Sequence, residues 1–175
     1  MNGFINWLAG LNEKDVKVRA VLRRSLAFEP GQYVPAYPYV EPFVKNEGNS
    51  WRREMHYLVA GLWAAHVHEE QSNAKMAIGS ACQALFLNKE KSPSIERRFI
   101  SLLVSDQDQL SHRLRQMLDL LKEYPINFEA LLADLLYWSD DRKRTQNAWA
   151  RDFYKNLQDD RETKSEPVIE EEQSA

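Results

Sequence analysis

An all-α protein is the expectation from three observations. Only six glycines and seven prolines punctuate the 175 residues, too few for a fold of many short strands joined by Gly/Pro turns. Apolar residues recur at helical spacing through most of the chain, with no strand-like alternation. The sequence is 43% hydrophobic with five Trp, seven Tyr and seven Phe, ample material for a core. The length fits one domain or two small helical bundles that share an interface.

The elements follow in order. A helix is predicted over 12–28, with Asn12 and Asp15 in N-cap and N3-like positions and Val18, Val21, Leu22, Ser25 and Leu26 on one face. Arg23 and Arg24 lie off that stripe. Residues 30–46 hold four prolines among Tyr33, Tyr37, Tyr39 and Phe43, too Pro-broken for a long helix and too aromatic for a floppy linker, so an ordered connection is expected. Ser50 is placed as the cap of a helix with Trp51, Met55, Leu58, Val59 and Leu62 inward, Arg53 almost opposite and Arg52 between.

A helix over about 73–87 precedes the polar run NKEKSPS. That break divides the chain into an N-terminal bundle, 1–88, and a C-terminal one, 92–158. Ser92 and Pro93 make an N-cap and N1 pair ahead of Ile95, Phe99, Leu102 and Leu103. Leu110, Leu114, Met117, Leu118 and Leu121 give the clearest periodicity, with Arg113 and Arg115 on its two shoulders. Asn127 caps a helix through Phe128, Leu131, Leu132, Leu135 and Trp138. Ser139 is placed as cap of the last helix, with Trp149, Ala150, Phe153, Tyr154 and Leu157 inward. About seven helices result, and 159–175 is expected to be a disordered acidic tail.

The net charge of −3 conceals an asymmetry. Seven acids and two bases give the tail −5, which leaves +2 for residues 1–158. The bases cluster as Arg23-Arg24, Arg52-Arg53, Arg97-Arg98, Arg113 with Arg115, and Arg142-Lys143-Arg144. Guanidinium forks match phosphate oxygens, so such clusters are candidate contacts to a nucleic-acid backbone; solvated faces or internal ion pairs are the competing reading. Glu96 beside Arg97-Arg98 favours a structural pair there, whereas Arg142-Lys143-Arg144 is the densest run and opens a helix, although Asp140 and Asp141 precede it.

Catalytic and metal sites are not expected. His66 and His68 are two apart and point about 200° from each other on a helix, which disfavours a zinc site with Glu69. Glu-x-x-His pairs, a Walker A loop, G-x-G-x-x-G, H-E-x-x-H and G-x-S-x-G do not occur. Cys82, the single cysteine, sits among Ala81, Ala84 and Leu85 as a small hydrophobe and suits a reducing cytoplasm. No apolar run approaches the ~18 residues of a membrane span, and the first residues do not resemble an export signal. The expectation is a cytoplasmic protein without cofactors.

Several short elements in order, Glu96-Arg97-Arg98-Phe99, Leu114-Arg115-Gln116, Leu135-Leu136-Tyr137-Trp138 and Trp149-Ala150-Arg151-Asp152-Phe153-Tyr154, resemble the CasB family, the small subunit of the type I-E CRISPR surveillance complex Cascade. Leu22-Arg23-Arg24 and Tyr37-Pro38-Tyr39-Val40-Glu41-Pro42-Phe43 agree more loosely, and the likeness spans roughly 12–157. The resemblance implies two packed helical bundles, no catalytic role, and two copies within a crRNA-guided complex. It also implies backbone contacts to the guide–target duplex and the displaced DNA strand of the R-loop. Carried onto this chain, the contacts fall on Arg24, Arg53, Arg115, Arg142, Lys143 and Arg144, then Arg23, Arg52 and Arg113. Gln116, and Gln107-Asp108 after Asp106, stand where relatives often carry bases, which implies fewer phosphate contacts. The competing expectation is a helical adaptor that holds complex subunits together without touching DNA.

Overall fold

Two short helices, α1 (Phe4–Lys14) and α2 (Lys17–Arg24), occupy the start of the chain, where the sequence predicted one helix over 12–28. The two residues expected to open that helix instead make the joint. Asp15 ends α1 in an extended conformation and its Oδ1 accepts from the Lys17 N–H at 3.0 Å, while Asn12 Oδ1 accepts from the Arg19 N–H at 3.3 Å. The computed structural model describes residues 3–66 and 75–157. His68, Glu69 and the acidic segment 159–175 therefore lie outside the described residues.

The Pro-rich stretch folds further than its composition indicates, into a 3-10 turn at Val34–Ala36 and α3 (Tyr37–Val44). Pro38 sits in the first turn, where its missing N–H has no intrahelical partner to lose, and Ala36, Val40 and Val44 are buried. Asn49, rather than Ser50, caps α4 (Ser50–Ala65), accepting from the Arg52 N–H at 3.0 Å. Every residue of α4 from Met55 to Ala64 is buried. A helix enclosed on all sides is a core element, and α1, α2, α3 and α8 (Phe128–Leu136) surround this one.

A single parallel bridge ties the chain entering α5 (Ile78–Asn88) to the chain entering α8: the Met76 N–H donates to the Pro125 carbonyl at 2.7 Å and the Asn127 N–H to the Met76 carbonyl at 2.8 Å. α5, which the sequence groups with 1–88, packs on α9 (Arg144–Tyr154) and on α6 (Pro93–Leu103). Gly79 permits the α5–α9 approach, since a Cβ there would stand 2.4 Å from the Trp149 carbonyl oxygen. α7 (Gln107–Leu120) completes this group against α6, so two groups of helices pack with α8 and α5 interleaved between chain halves.

Side-chain caps set the starts of α4, α7 and α8. Asp106 accepts from the Gln109 N–H to start α7, and Asn127 from the Ala130 N–H to start α8, both at 3.0 Å. α9 starts later than Ser139 because Trp138 is pulled into the core, its Nε1 donating to the Ser105 carbonyl at 2.9 Å. The turn that follows leaves Lys143 left-handed, at φ 55°, as the residue before the helix. Phe99 stacks on Phe153 at 4.2 Å and Trp138 tilts on Trp149 at 5.2 Å, which joins α6, α8 and α9 in the core.

Candidate nucleic-acid interface

The two arginines that begin α4 face carboxylates brought by the preceding segment. Arg52 Nε donates to Glu47 Oε2 at 2.9 Å, and its guanidinium lies 5.9 Å from the Tyr137 ring centre. Arg53 Nη2 donates to both Glu41 oxygens at 2.5 and 2.6 Å, while Nη1 donates to the Val44 and Glu47 carbonyls. Arg53 thus caps the end of α3 as well as pairing with it. Glu41 also accepts from the Tyr57 hydroxyl at 2.5 Å. That hydrogen bond, then the one from Arg53, holds the Glu41 carboxyl below its ordinary range, and burial pushes the Tyr57 phenol up.

Arg113 and Arg115 stand on opposite sides of α7. Arg113 Nη1 donates to the Ser101 carbonyl at 2.8 Å and to Ser105 Oγ at 3.3 Å, pinning α7 to the end of α6. Arg115 Nη1 donates to the Leu26 carbonyl and lines a second cleft with His112, Tyr57, Tyr33 and Phe28. Phe28 stacks on Tyr33 at 4.9 Å and remains 52% exposed.

The sequence, from Glu96, suggested that at least one of Arg97 and Arg98 is tied up in a structural pair, and the geometry differs. Glu96 Oε1 accepts from the Tyr154 hydroxyl at 2.9 Å. Arg97 and Arg98 are exposed, with no hydrogen bond or ion pair to any described residue. With Ser94, Ser101, Arg113 and Gln116 they line a cleft between α6 and α7 that is floored by Met117 and has no carboxylate among the described residues of its lining. Helical spacing was the available signal: 94, 97, 98 and 101 share one stripe, and 96 falls on the other flank of the buried 95, 99, 102 face.

The remaining bases are mostly open to solvent. Arg23 and Arg24 end α2, exposed and without a hydrogen bond or ion pair to a described residue. Arg144 Nε donates to Asp140 Oδ2 at 2.6 Å, and this bond, followed by the Arg142 N–H, keeps the Asp140 carboxyl below its ordinary range. The Arg144 side chain is nonetheless 72% exposed, and Arg142 and Lys143 are exposed beside it. The structure thus brings Arg97, Arg98 and Arg113 into one cleft and places Arg115 across α7 from it.

His66 and Cys82 are committed to the core. His66 is buried, with Nε2 2.6 Å from the Tyr124 carbonyl oxygen and its ring edge-on to Phe128 at 5.4 Å. Burial pushes the Cys82 thiol up to about 12, so it carries no thiolate at neutral pH. No helix among the described residues is long and apolar enough to cross a membrane.

Residues 18–154 match the family model of the CRISPR-associated protein Cse2. A Cse2 protein of Thermus thermophilus is 42% identical over 154 residues, which is 86% of this chain and 88% of the relative. A crystal structure of a Cse2-family protein from the same organism superposes with a TM-score of 0.77 at 40% identity, covering 86% of this chain and 95% of that one. The crystal structure of M. ruber CasB gives 0.76 at 33%, covering 93% and 96%. A chain from a CRISPR RNA-guided surveillance complex shares the fold at 20% identity, with a TM-score of 0.75 and coverage of 92% and 95%.

Fold and matches together define a class, the helical CRISPR-associated proteins. Within that class, the chain belongs to the Cse2 (CasB) family.

Proposed function

We propose that this protein is a non-catalytic small subunit of a crRNA-guided type I-E surveillance complex, where it holds nucleic-acid backbone and so stabilises the R-loop. The ligands in this reading are the displaced DNA strand and the guide–target duplex, and the other partners are the remaining Cascade subunits and a second copy of this chain. The observation that carries the reading is the α6–α7 cleft, in which Arg97, Arg98 and Arg113 meet hydroxyl and amide side chains without a carboxylate among the described residues of the lining. Such a lining matches phosphate oxygens and reads no base sequence. Arg23, Arg24, Arg115, Arg142, Lys143 and Arg144 are further exposed bases in this reading, outside the cleft, whereas Arg52 and Arg53 are occupied by Glu47 and Glu41. Sequence selection then belongs to the guide RNA.

Titration of labelled single-stranded DNA by anisotropy over a salt series tests this. Sequence-indifferent binding that weakens with salt is the expected result; a consensus motif, or no binding by the chain either alone or in the assembled complex, would refute it. The adaptor reading has its own support, since Val16, Val34, Val104 and Tyr137 are 81%, 63%, 70% and 61% exposed and offer apolar contacts to protein neighbours. Under that reading, cleft substitutions would damage assembly and leave DNA affinity intact.

A further inference from the structure

We propose that the acidic segment 159–175 of this chain docks in its own α6–α7 cleft. The docking partners of the seven carboxylates in that segment would be Arg97, Arg98 and Arg113. The contact itself is independent of nucleic acid. Its consequence, competition with phosphates for the same guanidinia, rests on the backbone-binding reading above.

Three observations converge on this occupant. The first is charge: the segment carries −5, and the cleft gathers three guanidinia without a carboxylate among the described residues of the lining. The second is where the described chain ends. Gln83 Nε2 donates to the Phe153 carbonyl at 2.9 Å and to the Lys155 carbonyl at 2.5 Å, which fixes the close of α9. Tyr154 donates to Glu96, on the flank of α6 away from Arg97 and Arg98, so the chain leaves α9 beside the first turn of α6 and has that helix to round before the cleft.

The third is length. At about 3.4 Å per extended residue, 159–175 can span roughly 55 Å, whereas the cleft from Ser94 to Ser101 is about 10 Å long at helical rise. Val168 and Ile169 precede Glu170-Glu171-Glu172, and exposed Leu120 lies one turn beyond Gln116 to receive an apolar pair. The other basic run, Arg142-Lys143-Arg144, stands at the far end of α9 and already holds Asp140.

The test compares the full chain with a full-length variant in which Asp159 and Asp160 become Asn and Glu162, Glu166, Glu170, Glu171 and Glu172 become Gln. The primary readout is the Nε–Hε NMR signals of Arg97 and Arg98, assigned with Arg97→Lys and Arg98→Lys. The two chains should differ in these signals at low salt and converge as the screening length falls toward about 3 Å near 1 M. Coincident signals at low salt would overturn the proposal.

The second readout is anisotropy with labelled oligothymidylate. The amide variant should bind roughly 3–10-fold tighter at low salt, and the gain should vanish when Arg97→Gln and Arg98→Gln are added. Shifted arginine signals with no oligonucleotide bound by either chain, alone or in the assembled complex, would keep the docked segment and defeat the backbone-binding reading. Equal binding with coincident signals would do the reverse.

Discussion

α4 carries Arg52-Arg53 in its first turn and α6 carries the same dipeptide, Arg97-Arg98, one turn in from its start, and they put it to opposite uses. At α4 the carboxylates arrive from a different segment: Glu41 from α3, twelve residues before Arg53, and Glu47 from the loop between. At α6 the adjacent Glu96 turns to Tyr154 and leaves both guanidinia open. Neighbours in sequence diverge by about 100° around a helix, so an acid next to an arginine is poor evidence of a pair. Whether an arginine is spent on the fold or kept for a ligand is decided by what packs against its turn.

That contrast is broken most strongly by reversing charge in the cleft. Arg97→Glu with Arg98→Glu should weaken oligothymidylate binding about tenfold or more at low salt, with an unchanged thermal midpoint. A fall in the midpoint would place these arginines with Arg53 instead. Next in size, Arg53→Ala should lower unfolding free energy by about 1 kcal/mol, a hydrogen-bonded pair discounted for its partial exposure. Affinity should stay within about twofold, and denaturant melts with anisotropy check both.

A smaller effect concerns pH. The Glu41 carboxyl is depressed below 4.5 by its bonds to Tyr57 and Arg53, so their contribution is complete above that value and lost as pH falls through the folded-state value beneath it. The destabilisation by Arg53→Ala should therefore be constant from pH 7 down to about 5 and shrink in stronger acid. Urea unfolding across that range measures it, and an equal penalty at every pH would remove Glu41 as the partner. Least of all, Arg144→Gln should leave stability unchanged and alter affinity less than about twofold, because its side chain reaches Asp140 from an exposed position.

Helix identity was legible wherever an apolar stripe met a cap, as in α7 behind Asp106 and α8 behind Asn127. It was hidden where polar residues serve two helices at once, as Asn12 and Asp15 do, and where Pro38 and Pro42 disguise a short helix. The late start of α9 follows from the bond of Trp138 to the Ser105 carbonyl, a partner 33 residues away that local sequence does not announce. At the candidate site, the opposite placement of Arg113 and Arg115 could be read from helical spacing alone. The commitment of Arg53 could not, because its partner comes through a segment that composition marks as a connection. Arg97 and Arg98 were obscured by weighting Glu96 for adjacency rather than for its angle on the helix.

The most direct measurement is the slope of log affinity against log salt for single-stranded DNA, taken with the unmodified chain, Arg97→Ala/Arg98→Ala and Arg53→Ala. Each single-strand phosphate neutralised, with release of its counterions, contributes about 0.7 to that slope, so the double variant should be shallower by about 1.4. Arg53→Ala should be indistinguishable from the unmodified chain. Three coincident slopes, or a loss confined to Arg53→Ala, would contradict the assignment of the α6–α7 cleft as the phosphate-binding surface.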